Sequence, residues 1–365
     1  MTITYETLQT PALLIHLDRL RHNIARTIAL CGSVERWRPH VKTCKVPEVL
    51  DELLAAGVRQ FKVATTREAA VLLAQAREPI DVLVAIAHRG ANLERIVALA
   101  RAFPRHRLAM ISEEPAHAAA VAAAGLGVFV DVDPHWGRSG IPIEQGSRIG
   151  AVAAAAGAHW RGLHCYEGHL TANSPAERQV AAEPIHTALC ELAQRLAARE
   201  LVTSGTPGFV AALAFAGFDA FAHAVSPGTV TYWDARSAEL GIAGYRPAVE
   251  VLARVVSRPS DRQATVDAGS KAIDAAAGEP VVVVVGAAHL RAKRPSEEHL
   301  PLLADEGQAP PLGALLHLIP RHVCPTVNLA DEAVLVDGGV IRAIVPVRAR
   351  GHETWAGGVA SELGR

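Results

Sequence analysis

Arg59-Gln60-Phe61-Lys62-Val63-Ala64, then Arg67-Glu68-Ala69-Ala70-Val71-Leu72-Leu73-Ala74-Gln75-Ala76, then Asp81-Val82-Leu83-Val84-Ala85-Ile86-Ala87 follow one another along the chain. The outer runs are short, apolar and rich in β-branched or aromatic residues, which suits strands. The middle run is Ala- and Leu-rich and amphipathic, which suits a helix. The stretch predicts one strand–helix–strand unit, and the alternation continues on both sides of it. Further strands are expected over 35–42, 107–112, 127–133, 161–167, 201–205 and 225–233, with helical segments between them. Eight strands with intervening helices over residues 18–238 predict an α/β fold, a (β/α)8 TIM barrel. An open doubly wound sheet is the rival, but no Gly-x-Gly-x-x-Gly opens any of these helices.

After about residue 240 the rhythm changes. Residues 248–259, 263–269, 280–288, 315–320 and 333–347 read as strands with no good helix between them. Asp337-Gly338-Gly339 inside the last run is a hairpin signal. A mostly antiparallel β domain is expected from 239–365, joined by 1–17, whose strand 12–17 fits either domain. Residues 291–313 are rich in proline and charge and are expected to form a long loop.

Composition narrows the function. The chain has 365 residues, 36 Lys+Arg against 37 Asp+Glu, and a formal net charge of -1. No basic run supplies the footprint of a nucleic-acid binder. No apolar stretch approaches the roughly 20 residues of a membrane helix. Five scattered cysteines (31, 44, 165, 190, 324) and a start without signal-peptide character predict a reducing, cytoplasmic location. A globular enzyme is the expectation.

Two clusters carry chemistry. In Arg38-Pro39-His40-Val41-Lys42-Thr43-Cys44-Lys45, Lys42 falls at the C-terminal end of the first expected barrel strand, where barrels keep functional residues. A lysine among other cations suits an imine-forming nucleophile; on spacing alone, a pair of surface lysines is an equal reading. In His322-Val323-Cys324, residues two apart on a strand share one face. Imidazole and thiolate suit zinc, although an isolated His-x-Cys more often marks a buried thiol beside an unrelated histidine.

Pro39-His40-Val41-Lys42-Thr43-x-Lys45, followed by a second strand, resembles the cofactor-lysine motif of the D-threonine aldolase/D-serine dehydratase family. These are fold-type III pyridoxal-phosphate enzymes, similar to alanine racemases. The resemblance continues in residues 10–24, 131–140, 227–234, 265–272 and 322–332, and so spans nearly the whole chain. One departure is Cys44, where many relatives have a second histidine; it bears on the subgroup. The resemblance implies pyridoxal 5'-phosphate anchored by Lys42, which would also move protons at the substrate Cα. It implies a phosphate loop at Ser204, Gly205 and Thr206, and a phosphate contact from Tyr232. It places Arg138 near the cofactor or the substrate carboxylate, Tyr166 on the substrate as a catalytic residue, and His169 beside the cofactor. The residues alone leave alternatives: an ordinary strand-to-helix turn at 203–206, a core tyrosine at 232, and an Arg138–Asp133 ion pair.

By the same resemblance, a divalent metal would sit on His322 and Cys324, with Zn2+ favoured and Mn2+ the other candidate; D-threonine aldolases of the family tend to carry aspartate at the second position. The implied activity is a lyase acting on a β-hydroxy-D-amino acid, favoured as a D-serine dehydratase-like elimination to a 2-oxo acid and ammonia. Retro-aldol cleavage of the D-threonine aldolase type is the alternative. An amino-acid racemase or a cofactor-homeostasis binding protein is more remote, because the metal pair or the C-terminal domain would then be idle. The implied partners are a small D-amino acid and a second copy of the chain in a homodimer.

Overall fold

The computed structural model of the chain describes residues 3–172 and 174–355; the extremities of the expected β domain, 1–2 and 356–365, lie outside the described residues. The chain divides into two compact units. One comprises Met1–Arg26, Thr43–Val46 and Thr229–Arg350, the other Thr27–Lys42, Pro47–Gly228 and Gly351–Arg365.

The first strand, β1 (Ala12–His16), belongs to the first unit. The second unit is built on β2 (Gln60–Val63), β3 (Asp81–Val84), β4 (Arg107–Ser112), β5 (Gly127–Asp133), the two-residue β6 (Ile141–Pro142), β7 (Trp160–Cys165), β8 (Glu200–Thr203) and β9 (Ala222–Val225). All pairs in this sheet are parallel, in the order β2-β3-β4-β5-β7-β8-β9, with β6 beside β5. Helices separate successive strands, as the alternation predicts, except between β5 and the short β6. The helix Thr66–Gln75 shows why they start where they do. Thr65 accepts from the Glu68 N–H at 3.1 Å while the Glu68 side chain reaches back to the Thr65 N–H, a capping box.

The eighth stave differs from expectation. Residues 35–42 form no regular strand; Trp37 bridges Val225 and His40 bridges Lys62, both in parallel. The Arg38 N–H donates to Val225 O at 2.9 Å, and the Lys62 N–H donates to Pro39 O at 2.9 Å. The segment therefore joins β9 to β2 and closes the ring, but Pro39 has no N–H to offer and the ladder breaks there. The last barrel strand also sits earlier than expected: β9 ends at Val225, and Thr229–Thr231 is a 3-10 turn.

At the N-terminal ends of the strands the barrel carries a largely buried ion network. Arg38 donates to Asp81 at 2.9 Å and to Gln60 at 2.8 Å, and Arg161 reaches both Asp81 and Glu200. Burial would raise the Asp81 carboxyl, but Arg38 and Arg161 outweigh it and hold the group below its ordinary 3.8. That stabilisation is present above the ordinary value and is lost as pH falls through the lower folded one. Asp81→Asn leaves Arg38, only 1% exposed, without a counter-charge of its own. It is expected to cost about 3 kcal/mol in urea unfolding at neutral pH, with the gap from wild type closing as the pH drops below 3.8. Equal stabilities at neutral pH would show that the network contributes nothing net.

The first unit adds β10 (Val249–Ser260), β11 (Gln263–Val266), β12 (Val282–Val284), β13 (Leu290–Ala292), β14 (Leu300–Ala304), β15 (Leu315–Pro320), β16 (Glu332–Asp337) and β17 (Val340–Pro346) to β1. Every pair is antiparallel except β1 with β16. Leu14, Leu252, Val334 and Val336 form its core. The Asp337-Gly338-Gly339 hairpin is present, with both glycines at positive φ, 58° and 80°, a conformation that costs glycine little. The expected loop at 291–313 is instead partly a hairpin, because β13 and β14 pair from Leu290↔Ala304 to Ala292↔Leu302. Leu300, Leu302 and Ala304 alternate inward, a period hidden by the surrounding prolines and charges. Among the described residues no helix is long and apolar enough to cross a membrane.

Candidate active site

In the barrel unit, Lys42 lies in a turn after the closing segment rather than at the end of a strand. Its side chain is exposed, and its N–H donates to His40 Nδ1 at 3.3 Å. Lys45 differs: it is buried, and its Nζ donates to Ala349 O at 3.2 Å within the other unit. Tyr166 follows β7. Its ring meets Trp136 edge-on at 5.0 Å, and the Arg138 guanidinium sits 3.9 Å over Trp136 and 4.9 Å over Tyr166. The Arg138–Asp133 pair does not form. Asp133 accepts instead from the Trp136 N–H at 2.8 Å and the Gly137 N–H at 3.1 Å, which leaves a stacked, exposed guanidinium suited to an anion.

Two glycines box the Tyr166 ring. A Cβ on Gly205 would lie 2.5 Å from Tyr166 Cε2, and one on Gly168 would lie 2.7 Å from Cε1. Only glycine permits so close a backbone approach. Ser204, at φ 63°, turns its donors away from a phosphate. Its N–H bonds Glu167 Oε2 at 3.1 Å and its hydroxyl bonds Glu167 Oε1. Burial works to raise the Glu167 carboxyl, but His186, 3.3 Å away, and Ser204 bring it below its ordinary range. Gly205 and Thr206 remain as the small residues of this turn. His169 Nδ1 is buried with no partner among the described residues, a polar atom that a bound cofactor or substrate would satisfy. The residues present therefore fit a pyridoxal phosphate group held at Lys42.

Beneath Tyr166, sequence reading overlooked Lys62, His164 and Asp131. The signal was a polar residue interrupting an otherwise apolar strand, Lys62 in β2, Asp131 in β5 and His164 in β7.

In the first unit, Tyr232 is wholly buried and its hydroxyl donates to Cys44 O at 2.9 Å, so it is not presented to a phosphate. His322 and Cys324 are not on a strand. His322 is the extended N-cap of the helix Val323–Leu329, and Cys324 lies in its first turn. Asp234 forces this ending of β15 by accepting the Val323 N–H at 3.0 Å while its other oxygen caps Ser237 at 2.8 Å. The pair still meets. Burial lowers the tendency of His322 to hold a proton, but its hydrogen bond to Cys324 and the charges of Asp234 and Asp274 reverse that and raise its pKa. Cys324 Sγ is 3.1 Å from the hydroxyl of Thr43, the residue after Lys42 in sequence, and 3.5 Å from that of Thr229. Asp274 Oδ2 is 3.9 Å from His322 Nδ1. Among the described residues no three His, Cys, Asp or Glu side chains converge on one metal position. The imidazole–thiol pair fits a borderline-soft ion that takes its other ligands from substrate and water.

The alanine racemase N-terminal domain model matches residues 15–236, and the serine dehydratase domain model matches residues 248–336. The chain is 29% identical to the D-threonine aldolase of an Arthrobacter species, over 94% of this chain and 93% of that one. The crystal structure of D-threonine aldolase from Filomicrobium marinum superposes with a TM-score of 0.83 at 28% identity, covering 96% of this chain and 98% of that one. The D-threo-3-hydroxyaspartate dehydratase of Delftia sp. HT23 does so at 0.82 and 26%, covering 96% and 99%. Alanine variants of that type of dehydratase have been solved at a histidine and at a cysteine two positions later, the cysteine variant in a metal-free form. With the racemase-type barrel, the antiparallel C-terminal domain and these matches, the chain belongs to the D-threonine aldolase/D-serine dehydratase family of alanine-racemase-like, pyridoxal-phosphate-dependent lyases.

Proposed function

We propose that the protein is a pyridoxal-phosphate- and divalent-metal-dependent lyase that eliminates water from a β-hydroxy-D-amino acid, leaving a 2-oxo acid and ammonia. The observation that carries elimination over aldol cleavage is the thiol at Cys324, two residues after His322 where an aspartate would suit an aldolase. This His-x-Cys spacing is the one altered in the structures of the hydroxyaspartate dehydratase.

When bound, the cofactor supplies an electron sink for charge developing at Cα, and the ion a Lewis acid for the β-oxygen. The chain's own residues do the rest. Lys42, exposed in its turn, presents the amine that anchors the cofactor and takes the proton from Cα. Gly205, Thr206 and His169 hold the cofactor. Arg138, stacked on Trp136, takes the substrate carboxylate, and its fixed plane orients the substrate. Tyr166, boxed by Gly168 and Gly205, walls the site with little freedom to shift. His322 and Cys324 hold the ion, with the Thr43 and Thr229 hydroxyls 3.1 Å and 3.5 Å from the sulfur.

Product analysis tests the reading. Protein supplied with pyridoxal phosphate and Zn2+ is expected to form pyruvate and ammonia from D-serine, or the corresponding 2-oxo acid from D-threonine or a 3-hydroxy-D-aspartate. Glycine plus acetaldehyde from D-threonine, without 2-oxo acid, would establish the aldolase instead. Comparable turnover of L-serine would overturn the D-specificity.

A further inference from the structure

Three ionisable side chains stand among apolar neighbours in the middle of the barrel, beyond the ion network at the N-terminal ends of the strands. Register pairs Lys62 with Leu83, Leu83 with Ala109, Ile111 with Phe129, Asp131 with His164 and His164 with Val202. Paired residues of a parallel sheet share a face, as do residues two apart. Lys62, Asp131 and His164 therefore point to the same side as Leu83, Ala109, Ile111, Phe129 and Val202, which form the core there. The three are 4%, 5% and 3% exposed.

They form a line. Lys62 Nζ lies 3.4 Å from His164 Nε2, His164 Nδ1 lies 2.7 Å from Asp131 Oδ1, and Asp131 Oδ2 accepts from the Ser139 hydroxyl at 3.1 Å. A carboxylate only accepts, so the His164 proton sits on Nδ1 and the Nε2 lone pair faces a Lys62 N–H. Ser139 is exposed, so the line begins in the core and ends at solvent. Its inner end lies beside Tyr166: Lys62 Nζ is 5.6 Å from the ring centroid.

A lysine kept only as a structural ion would contact a carboxylate directly, since a buried ammonium without one is expensive. Lys62 contacts a neutral imidazole instead. The groups facing it are His40 and Lys42 from the closing segment, Asp131 and Arg138 from β5 and its loop, and His164 and Glu167 from β7 and its end; β3 offers only Leu83. Burial first, then Lys42 and Arg138, bring its pKa down to about 7 against the pull of Asp131 and Glu167.

We propose that Lys62, held by His164 and Asp131, is the inner end of a proton relay that connects the floor of the cofactor site to solvent at Ser139. It is a positioning and proton-holding residue, acting on the site through Tyr166 and Lys42. The outward transfer balances without any co-reactant. The Lys62 ammonium proton passes to His164 Nε2, the Nδ1 proton passes to Asp131, and solvent at Ser139 takes it from the carboxyl. The inward transfer is the reverse. The proposal rests on the reading of Lys42 as the cofactor lysine, because a lyase that removes one proton and delivers another needs a group to hold it between.

The test is a pH titration of the full chain, 15N-labelled in histidine, with His164→Gln assigning the resonances. The expected result is an Nδ1–H tautomer at His164 with an inflection near pH 7, absent from Lys62→Met. In the same variant pyridoxal phosphate uptake should stay within about threefold of wild type, while kcat falls about 100-fold and its pH profile loses the neutral-range inflection. Lys62→Arg keeps a cation that does not titrate and should not restore the profile. A wild-type His164 with no inflection in the neutral range overturns the relay, and so does an arginine variant with a wild-type profile. If Lys62→Met does not fold, the wild-type titration still decides. It needs no turnover, so an inactive protein would count against the proposed reaction alone.

Discussion

Lys42→Ala protein is expected to purify colourless from buffer containing pyridoxal phosphate, and to turn over β-hydroxy-D-amino acids at least about 1,000-fold more slowly than wild type. Only an amine can form the imine that gives the bound cofactor its visible absorbance, and alanine has none. Folding should be unaffected, because the Lys42 side chain is exposed and the closing segment is held by its backbone bonds to β9 and β2. Lys45→Ala is the control. That lysine is 6% exposed with its Nζ on Ala349 O, so its loss should lower stability while the absorbance band remains. A band kept by Lys42→Ala and lost by Lys45→Ala would move the anchor three residues along the chain.

Cys324→Ala should remove one of two protein ligands and weaken metal binding by more than about 100-fold. Metal analysis of dialysed protein would read the loss, and elimination from D-serine should disappear with it. The fold should survive, because the β unit packs on Leu14, Leu252, Val334 and Val336 and Cys324 lies in a short helix outside that cluster. Bound pyridoxal phosphate should persist, so the variant stays yellow. Cys324→Asp trades a soft thiolate for a hard carboxylate and should shift preference from Zn2+ toward Mn2+. Unchanged wild-type turnover after EDTA, with no ion found in the protein, would make the His322–Cys324 contact structural and end the metal-assisted mechanism.

The candidate residues of both units were legible along the chain. Lys42, Tyr166, Arg138, His322 and Cys324 stand out because each lies in a short motif of chemistry-bearing residues. What the motifs do not carry is geometry. Tyr232 reads as a phosphate contact, yet its hydroxyl is taken by Cys44 O, 188 residues away in sequence. Ser204 reads as a phosphate ligand, yet both its donors go to Glu167. His322 and Cys324 read as neighbours on a strand, yet Asp234, 89 residues before Val323, ends the strand and starts a helix between them.

The sequence by itself determined the alternation of strand and helix, the change to antiparallel strands after the barrel and the Asp337-Gly338-Gly339 turn. Each depends on periodicity or turn chemistry acting within a few residues, and such forces are written locally. Only the tertiary structure decided that Lys62, Asp131 and His164 share one interior. Lys62 and His164 are 102 residues apart, Asp131 and His164 33. Their contact depends on the register of parallel strands around a closed ring, where a slip of one residue would turn each side chain to the other face. Burial then does what no local signal can: it makes the charge on a lysine costly and leaves that cost to be met by whichever residues the barrel brings beside it.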